Sequence, residues 1–142
     1  MIITPEEAQR KLRIQADRAF RALVLEAGKR IIFRTPVDTG RARMNWHTSI
    51  GNPVLTADEY DGDDGGSVAG PATTDAIREL VHYGNSADAH DGDVVYIANG
   101  LPYIEKLENG SSTQNPQGMV KVTLAELQEV GRVVAEKIRR AQ

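Results

Sequence analysis

The sequence predicts an α+β fold in which long N-terminal and C-terminal helices pack on a small antiparallel β-sheet, with long polar loops. Apolar residues recur at steps of three and four near both ends of the chain, and short alternating or β-branched segments lie between them. The 142 residues are the size of one ordinary domain, so we expect residues 1–142 to form a single unit.

The first predicted element is a long helix from Thr4 to Arg34. Thr4 and Glu7 have the spacing of a capping box, and Pro5 occupies the first helical position. Apolar residues at helical spacing form one narrow stripe, which we expect to pack against the C-terminal helix of the same chain or of a neighbouring copy. The stripe consists of Ala8, Leu12, Ala16, Ala19, Leu23, Ala27 and Ile31.

A tight turn follows this helix, because a proline at position 36 disfavours helical backbone angles for Thr35. The side chains of Asp38 and Thr39 are expected to bond nearby backbone amides, and Gly40 is expected to adopt a positive φ. The sequence therefore predicts a well-defined connection.

The middle of the chain predicts a small sheet and polar loops. Residues Arg41 to Ile50 alternate as a half-buried strand does, with Trp46 on the inward face. Residues Val94 to Ala98 form a compact β-branched strand that ends at an Asn-Gly turn, and we expect it to pair with the first strand. Between the two strands we expect an acidic, flexible loop or arm over 51–70, a helix over 71–83 and a second polar loop over 84–93.

The last part of the chain predicts a helical turn and a helix. Pro102 starts the turn over 101–107, and Gly110 is expected to stop it. After a third polar connection, Val120 to Arg140 is amphipathic and ends in basic residues, as the C-terminus of a helix prefers.

Composition excludes several classes of protein. Hydrophobic residues make up 40% and aromatic residues 5%, which predicts a thin, mostly aliphatic core that gains from association. The absence of cysteine excludes a disulfide scaffold, a cysteine-ligated zinc site and a thiol nucleophile. Apolar runs are far shorter than the roughly 20 residues of a membrane span, and acidic residues near the start argue against a signal peptide, so we expect a soluble, cytoplasmic product with no membrane partner.

Charge is unevenly distributed along the chain. Residues 1–43 carry ten basic and five acidic side chains, residues 44–109 carry two and twelve, and residues 110–142 carry five and three. Two basic ends therefore enclose a strongly acidic middle. These regions are either solvated faces or complementary surfaces through which copies of the chain meet.

Three histidines are the candidate acids and bases for catalysis, namely His47, His82 and His90. None has a convincing partner in the sequence, and the motifs of common hydrolases, phosphate-binding loops and dinucleotide-binding folds are absent. The acidic runs over 58–64 and 88–93 lack the register of a calcium loop. We expect no enzyme activity, no cofactor and no metal, with a metal-dependent hydrolase built on His90 as the catalytic alternative.

The basic N-terminal region raises nucleic-acid binding as another class of function. The cations of this region that lie on the predicted helix spread around more than one face, and no helix-turn-helix or RNA-binding motif is present. The alternative function is therefore a DNA-binding accessory role of the basic N-terminal helix. Its weaker form is a basic surface that lines a channel through which genomic DNA passes, with non-specific contacts held by phosphate electrostatics alone.

Two blocks carry the most specific pattern in the chain, TPVDTGRARMNW over 35–46 and YIANGLPYIEKLENGSSTQNPQGMV over 96–120. Together they resemble the tail-completion or neck family of long-tailed bacteriophages, the small minor tail proteins of lambda-like phages. In the first block the resemblance rests on Pro36, Val37, Asp38, Thr39, Gly40, Arg41 and Trp46. In the second block it rests on Asn99, Pro102, Tyr103, Glu108, Gly110, Ser111, Pro116 and Gly118.

The resemblance implies a structural virion protein and no chemistry. Subunits of such a protein form a sixfold or twelvefold ring at the head-tail junction, between the head connector or stopper and the tail terminator and tail tube. The implied location is the virion neck, after assembly in the host cytoplasm. The turn over 36–41 would set how the strand leaves the first helix.

The resemblance also implies a set of anchor residues and a role for the acidic loops. The anchors of the core or of an interface would be Trp46, Tyr96, Pro102, Tyr103, Glu108 and Gly110. The loop carboxylates would either face the DNA channel and repel phosphates, or face outward toward basic partner surfaces. The arm over 51–70 departs from the family pattern, since it is longer and more charged.

Overall fold

The computed structural model describes residues 2–38, 40–60, 70–85 and 93–141, and it has the predicted α+β fold. The long helix at the N-terminus packs on the helix at the C-terminus, and two strands form a small antiparallel sheet. In chain order the elements are α1 (Pro5–Arg34), α2 (Arg41–Met44), β1 (Trp46–Ile50), α3 (Pro71–Asn85), β2 (Val95–Asn99), α4 (Ile104–Glu108), α5 (Val120–Ala125) and α6 (Leu127–Arg140).

Helix α1 begins and ends where the sequence predicts. The Thr4 hydroxyl accepts a hydrogen bond from the Glu7 N–H at 3.2 Å, and the Glu7 carboxylate accepts one from the Thr4 N–H at 3.0 Å. These two bonds complete the predicted capping box. At the other end Thr35 adopts extended backbone angles before Pro36, which confirms the predicted stop.

The two halves of α1 lie in different surroundings. Gly28, Ile31 and Ile32 are buried, and a Cβ at Gly28 would lie 2.7 Å from the Leu80 Cδ1 atom, because α1 and α3 approach closely there. Every residue from Ile2 to Arg18 is exposed. We call residues 2–18 the α1 extension, and the first part of the predicted apolar stripe lies on it.

The strand predicted over 41–50 is wrong in its first half. Gly40 has a φ of +104°, which confirms the predicted positive angle, but it leads into the short helix α2. The Met44 N–H bonds to the Gly40 carbonyl at 3.1 Å, so the chain makes one helical turn before β1 begins at Trp46. This helical turn places the Arg43 side chain at the buried end of α1, where it hydrogen-bonds to the Phe33 and Thr35 carbonyls. These hydrogen bonds favour the helical turn over the strand that the loose alternation of residues 41–44 predicted.

Strands β1 and β2 pair antiparallel, which confirms the predicted pairing, with Trp46 opposite Asn99. Strand β2 lies one residue later than the predicted 94–98, because Asn99 continues the ladder. The Asn99 side chain fixes this end of the strand, since its Nδ2 donates to the Ala42 carbonyl at 2.8 Å and its Oδ1 accepts from the Leu101 N–H at 3.1 Å.

The helix predicted over 120–140 is interrupted at Glu126, where α5 ends and α6 follows. Glu126 has backbone angles of φ −93° and ψ 3°. Its carboxylate accepts a hydrogen bond from Arg30 at 3.0 Å and forms an ion pair with Arg34, so the interruption coincides with a junction to α1. Because a break of one residue does not change the spacing of the apolar residues, the sequence pattern does not reveal it.

The core lies between the second half of α1, α3, β1 and the start of α5. Helices α3 and α4 lie close to the helices predicted over 71–83 and 101–107. Residues 51–60 of the predicted acidic loop contain no helix or strand, while 61–69 and 86–92 lie outside the described residues. The buried cluster consists of Ile31, Ile32, Trp46, Ala76, Leu80 and Met119.

Candidate assembly surface

The side chains of Arg43 and Trp46 close the C-terminal end of α1. Arg43 is 3% exposed and donates to the carbonyls of Phe33 and Thr35, both at 2.8 Å, and to the Thr73 hydroxyl at 3.0 Å. The Trp46 Nε1 donates to the Thr35 hydroxyl at 2.7 Å. Because the last carbonyls of a helix lack partners within it and carry partial negative charge, a buried guanidinium there both satisfies and stabilises them.

The predicted turn over 36–41 lies beside this helix end. Val37 is buried, and Gly40 adopts the left-handed conformation that glycine reaches without strain. Asp38 is exposed, and the bond expected from its carboxylate to a backbone amide is not found among the described residues. Thr39 lies outside the described residues.

The second block holds this turn through side-chain amides. Gln114 accepts from the Val37 N–H at 2.8 Å and donates to the Val37 carbonyl at 2.9 Å, which is the pair of bonds that a neighbouring strand would make. The Asn115 Nδ2 donates to the carbonyls of Arg34 at 2.7 Å and Gly118 at 2.8 Å. Sequence reasoning missed Gln114 and Asn115, since a polar connection has no periodicity to single them out.

Glu108, one of the predicted anchors, closes the start of α5. Its carboxylate accepts hydrogen bonds from the N–H groups of Met119 at 2.9 Å, Val120 at 3.0 Å and Lys121 at 2.8 Å. Burial acts to raise the pKa of Glu108, but these N–H groups and the Lys121 charge outweigh burial and hold the pKa below its usual range. Gly118 approaches closely enough that a Cβ there would lie 2.5 Å from the Glu108 carbonyl oxygen.

The remaining predicted anchors have smaller roles. Tyr96 and Tyr103 are partly buried and Pro102 is exposed, so none of them belongs to the buried cluster. Gly110 has a φ of +89°, and a Cβ there would lie 2.4 Å from the Pro116 carbonyl oxygen. A cleft of about 270 Å³ opens beside the predicted turn, and its lining includes Pro36, Asp38, Gly40, Arg41, Tyr103 and Gln114.

Another side-chain amide, that of Asn45, fixes the segment that follows β1. Asn45 is fully buried; it accepts from the Asp58 N–H at 2.7 Å and donates to the Asp58 carbonyl at 3.0 Å. Arg41 donates to the same carbonyl at 3.2 Å and forms an ion pair with Glu59 at 2.9 Å. The start of the predicted arm is therefore held against α2.

His47 has partners that the sequence did not predict. Its Nδ1 lies 3.1 Å from the Glu79 carboxylate, and its Nε2 lies 3.3 Å from the Thr56 hydroxyl and 3.6 Å from the Asp58 carboxylate. A hydroxyl, an imidazole and a carboxylate in this order are the parts of an activated nucleophile. The Thr56 hydroxyl also donates to the Asp58 carboxylate at 3.2 Å, and the cluster fastens the segment to β1 and α3.

The other two candidate histidines are His82 and His90. His82 is exposed on α3, and His90 lies outside the described residues. Over the described ranges, no group of three or more His, Asp or Glu side chains is arranged to hold a metal ion. No helix in that part of the chain has the length and apolar character to cross a membrane.

The basic side chains of α1 differ in their ion pairs between the buried second half of the helix and the exposed α1 extension. In the second half, Arg21, Lys29, Arg30 and Arg34 each form an ion pair with a carboxylate. In the α1 extension no cation forms an ion pair or hydrogen bond through its side chain with the rest of the described chain. The four extension cations are Arg10, Lys11, Arg13 and Arg18.

Comparison with known proteins returns no match. Neither a protein-family model nor a curated protein matches the chain, and no solved structure matches it. We therefore infer function from the contacts of the chain itself and from its two sequence blocks.

Proposed function

We propose that this chain is a structural subunit of the neck of a long-tailed bacteriophage. It forms a sixfold or twelvefold ring at the head-tail junction, completes the tail and joins it to the head connector for DNA passage. Its partners are the connector or stopper, the tail terminator and the tail-tube proteins. The protein is assembled in the host cytoplasm, resides in the virion and acts without catalysis or a cofactor.

The observation that carries this proposal is that the two blocks form one unit in space. Gln114 holds Val37 across 77 positions of the chain, and Asn99 reaches Ala42 across 57. Both blocks resemble the same family, over 35–46 and 96–120. The residues that carry the resemblance therefore lie in one contiguous part of the fold, which supports treating the two blocks as one pattern.

The exposed apolar surface also supports an assembling subunit. Leu12 is 65% exposed and Phe20 is 46% exposed, both on α1, and Leu124 is 58% exposed on α5. Residues 5–18, the helical part of the α1 extension, form a segment short enough to be only marginally stable as a helix when nothing packs against it. Exposed apolar side chains on such an element favour a role in which other subunits cover them.

The test is the mass and shape of the purified protein, alone and mixed with the connector and tail-tube proteins of its phage. Light scattering measures the mass, and electron microscopy locates the subunit. We expect rings, or incorporation between connector and tube. A monomer that binds neither partner would contradict the proposed function.

A second candidate function is DNA binding, which is favoured by the four cations of the α1 extension that pair with no carboxylate of the described residues. Four phosphate contacts predict an affinity for duplex DNA that falls about 100-fold between about 50 and 200 mM salt. Fluorescence anisotropy with a labelled duplex measures this dependence. An affinity absent at the lower salt concentration would remove this candidate.

A further inference from the structure

Strand β2 has one edge paired with β1 and one edge that faces away from it. The Gly51 N–H donates to the Val94 carbonyl at 2.8 Å, so these two residues form a hydrogen-bonded pair that continues the antiparallel ladder. Because such pairs alternate along a ladder, Tyr96 and Ala98 direct their backbone N–H and C=O groups toward β1. The other residues of β2 direct theirs outward, and we call these outward groups the open edge. They belong to Val95, Ile97 and Asn99.

The outward edges of the two strands have different surroundings. The outer edge of β1 lies against α3, where the Glu79 carboxylate accepts a hydrogen bond from the Thr48 N–H at 2.6 Å. Of the described helices and strands, only β1 makes extensive contact with β2. The backbone groups of the open edge have no hydrogen-bond partner among the described residues. The sheet can therefore grow by a further strand at β2.

The sequence of β2 lacks the features that keep an edge strand from pairing. Folded proteins commonly protect such a strand with a charged side chain, a proline or a β-bulge. Strand β2 reads VYIAN, which contains no charged residue and no proline, and its one-to-one register with β1 contains no bulge. Its Val, Tyr and Ile residues favour strands. A strand of this composition with an open edge fits one that another strand covers in the assembled protein.

The hydrogen-bonding pattern of the open edge determines what covers it. Donors and acceptors that recur at every second residue match another extended backbone, whereas a phosphate chain offers acceptors alone. In a second copy of this chain the same edge of β2 is available, while the outer edge of β1 again lies against α3. Two identical strands pair antiparallel about a twofold axis, so the open edge is complementary to itself.

We propose that two copies of this chain pair through the open edges of β2 and form one continuous, four-stranded antiparallel sheet. Val95 lies opposite Asn99 of the second copy, and Ile97 lies opposite the same residue, which gives about six backbone hydrogen bonds between the copies. This inference rests on the self-association of the proposed function and names the strands that meet. A twofold contact closes on itself, so a ring built from such pairs needs a further contact between pairs.

The chain contains no cysteine, so introduced cysteines report the register of this pairing directly. In the proposed register, Tyr96 of one copy lies opposite Ala98 of the other in a non-hydrogen-bonded pair, where Cα atoms about 4.5 Å apart allow a disulfide. Mixed Tyr96→Cys and Ala98→Cys proteins should form a disulfide-linked dimer under mild oxidation, in about tenfold higher yield than either protein alone. The control mixes Tyr96→Cys with Leu124→Cys, because Leu124 is exposed on α5, away from the sheet. A yield no higher than in this control, or a dominant homodimer of either variant, would overturn the proposal.

A proline at Val95 separates pairing between copies from folding of one copy. The Val95 N–H points away from β1, so Val95→Pro removes a donor of the open edge and leaves the β1–β2 ladder intact. The matched control is Val95→Ala, which shortens the same side chain and keeps the N–H.

Analytical ultracentrifugation measures the dissociation constant of the dimer for both variants. Val95→Pro should raise it by about tenfold or more, because the twofold axis repeats the lost hydrogen bond. Val95→Ala should change it by less than about threefold. Equal dissociation constants for the two variants, or a wild-type chain that stays monomeric at its highest soluble concentration, would overturn the proposal.

The strand pairing and the neck function fail in different experiments. Rings on the connector that form no disulfide between Tyr96→Cys and Ala98→Cys subunits would overturn the strand pairing alone. A strand-paired dimer that is not incorporated between connector and tube would contradict only the neck function.

Discussion

The two ends of α1 belong to one helix but have opposite surroundings. At the C-terminal end, Arg43 and Trp46 satisfy the helix carbonyls and the Thr35 hydroxyl, and Gln114 holds the following turn. At the other end, the α1 extension is exposed over its whole length and its cations have no carboxylate partners among the described residues. The contacts at the first end stabilise the folded chain, whereas under the proposed function we expect the second end to be completed by other subunits.

The largest expected contrast is between two leucines. Leu80 is 1% exposed in the core and Leu12 is 65% exposed on the extension. Leu80→Ala should lower the free energy of unfolding by about 3 to 4 kcal/mol, because it leaves a cavity, while Leu12→Ala should change it by less than about 0.5 kcal/mol. Urea unfolding of the isolated subunit measures both. Similar losses of unfolding free energy for the two variants would contradict the claim that the core stabilises the fold and the α1 extension does not.

Arg43→Met should lower the free energy of unfolding by about 2 to 3 kcal/mol. The variant leaves the Phe33 and Thr35 carbonyls without their guanidinium donor in a buried site. Arg132→Met is the control, because Arg132 is exposed and pairs with Glu129 and Glu136 on its own helix α6, so its loss should leave the urea midpoint close to that of the wild type. Equal urea midpoints for the two variants would contradict the role of Arg43.

Gly40→Val should lower the free energy of unfolding by about 1 to 3 kcal/mol, because a β-branched residue is strained at a φ of +104°. Gly131→Ala is the matched control. A Cβ at Gly131 meets no atom within 4 Å, and alanine favours helix by about 1 kcal/mol, so this variant should be neutral or more stable. An unchanged thermal midpoint for Gly40→Val would contradict the strained turn.

Gln114→Ala should lower the free energy of unfolding by about 1 kcal/mol, since it removes both bonds to Val37 while water reaches part of the site. Gln117→Ala changes the same residue type in the same connection, where the side chain is exposed and forms no hydrogen bond with a described residue, and should have no measurable effect. The free energies of chemical unfolding of the two variants test whether hydrogen bonds from the block over 96–120 stabilise the turn in the block over 35–46.

The smallest and most specific expected effect is a dependence of the free energy of unfolding on pH, caused by Glu108. Its pKa lies below the ordinary value of 4.5, so the stabilisation is complete above that pH and is lost as pH falls through the lower folded-state pKa. Wild-type protein should therefore lose more stability than Glu108→Gln between neutral pH and pH below 4.5. Parallel pH profiles for the two proteins would show that Glu108 does not act as a charged cap.

Local rules predicted those parts of the fold that depend on neighbouring residues. The capping box at Thr4, the stop before Pro36 and the positive φ of Gly40 each follow from backbone geometry within a few positions. The alternation over 41–50 predicted β1 correctly only in its second half, and the β-branched run over 94–98 predicted the antiparallel partner β2 to within one residue.

Contacts between distant segments were the part that local patterns did not predict. Helix α2 replaces the first half of the predicted strand because the Arg43 side chain donates hydrogen bonds to the carbonyls at the end of α1. Gln114 and Asn45 act through single pairs of hydrogen bonds to Val37 and Asp58, which leave no periodic trace in the sequence. The partners of His47 come from α3 and from the segment after β1, so its surroundings depend on the tertiary fold.

Hydrogen exchange along α1 tests most directly the claim that a folded body carries a helix end completed by assembly. In the isolated subunit, amides over 5–18 should exchange close to the rate of an unstructured chain, while amides over 28–34 are strongly protected. In the assembled ring, both stretches should be protected. Equal protection of the two stretches in a monomer, or an unprotected extension in the assembly, would contradict the account.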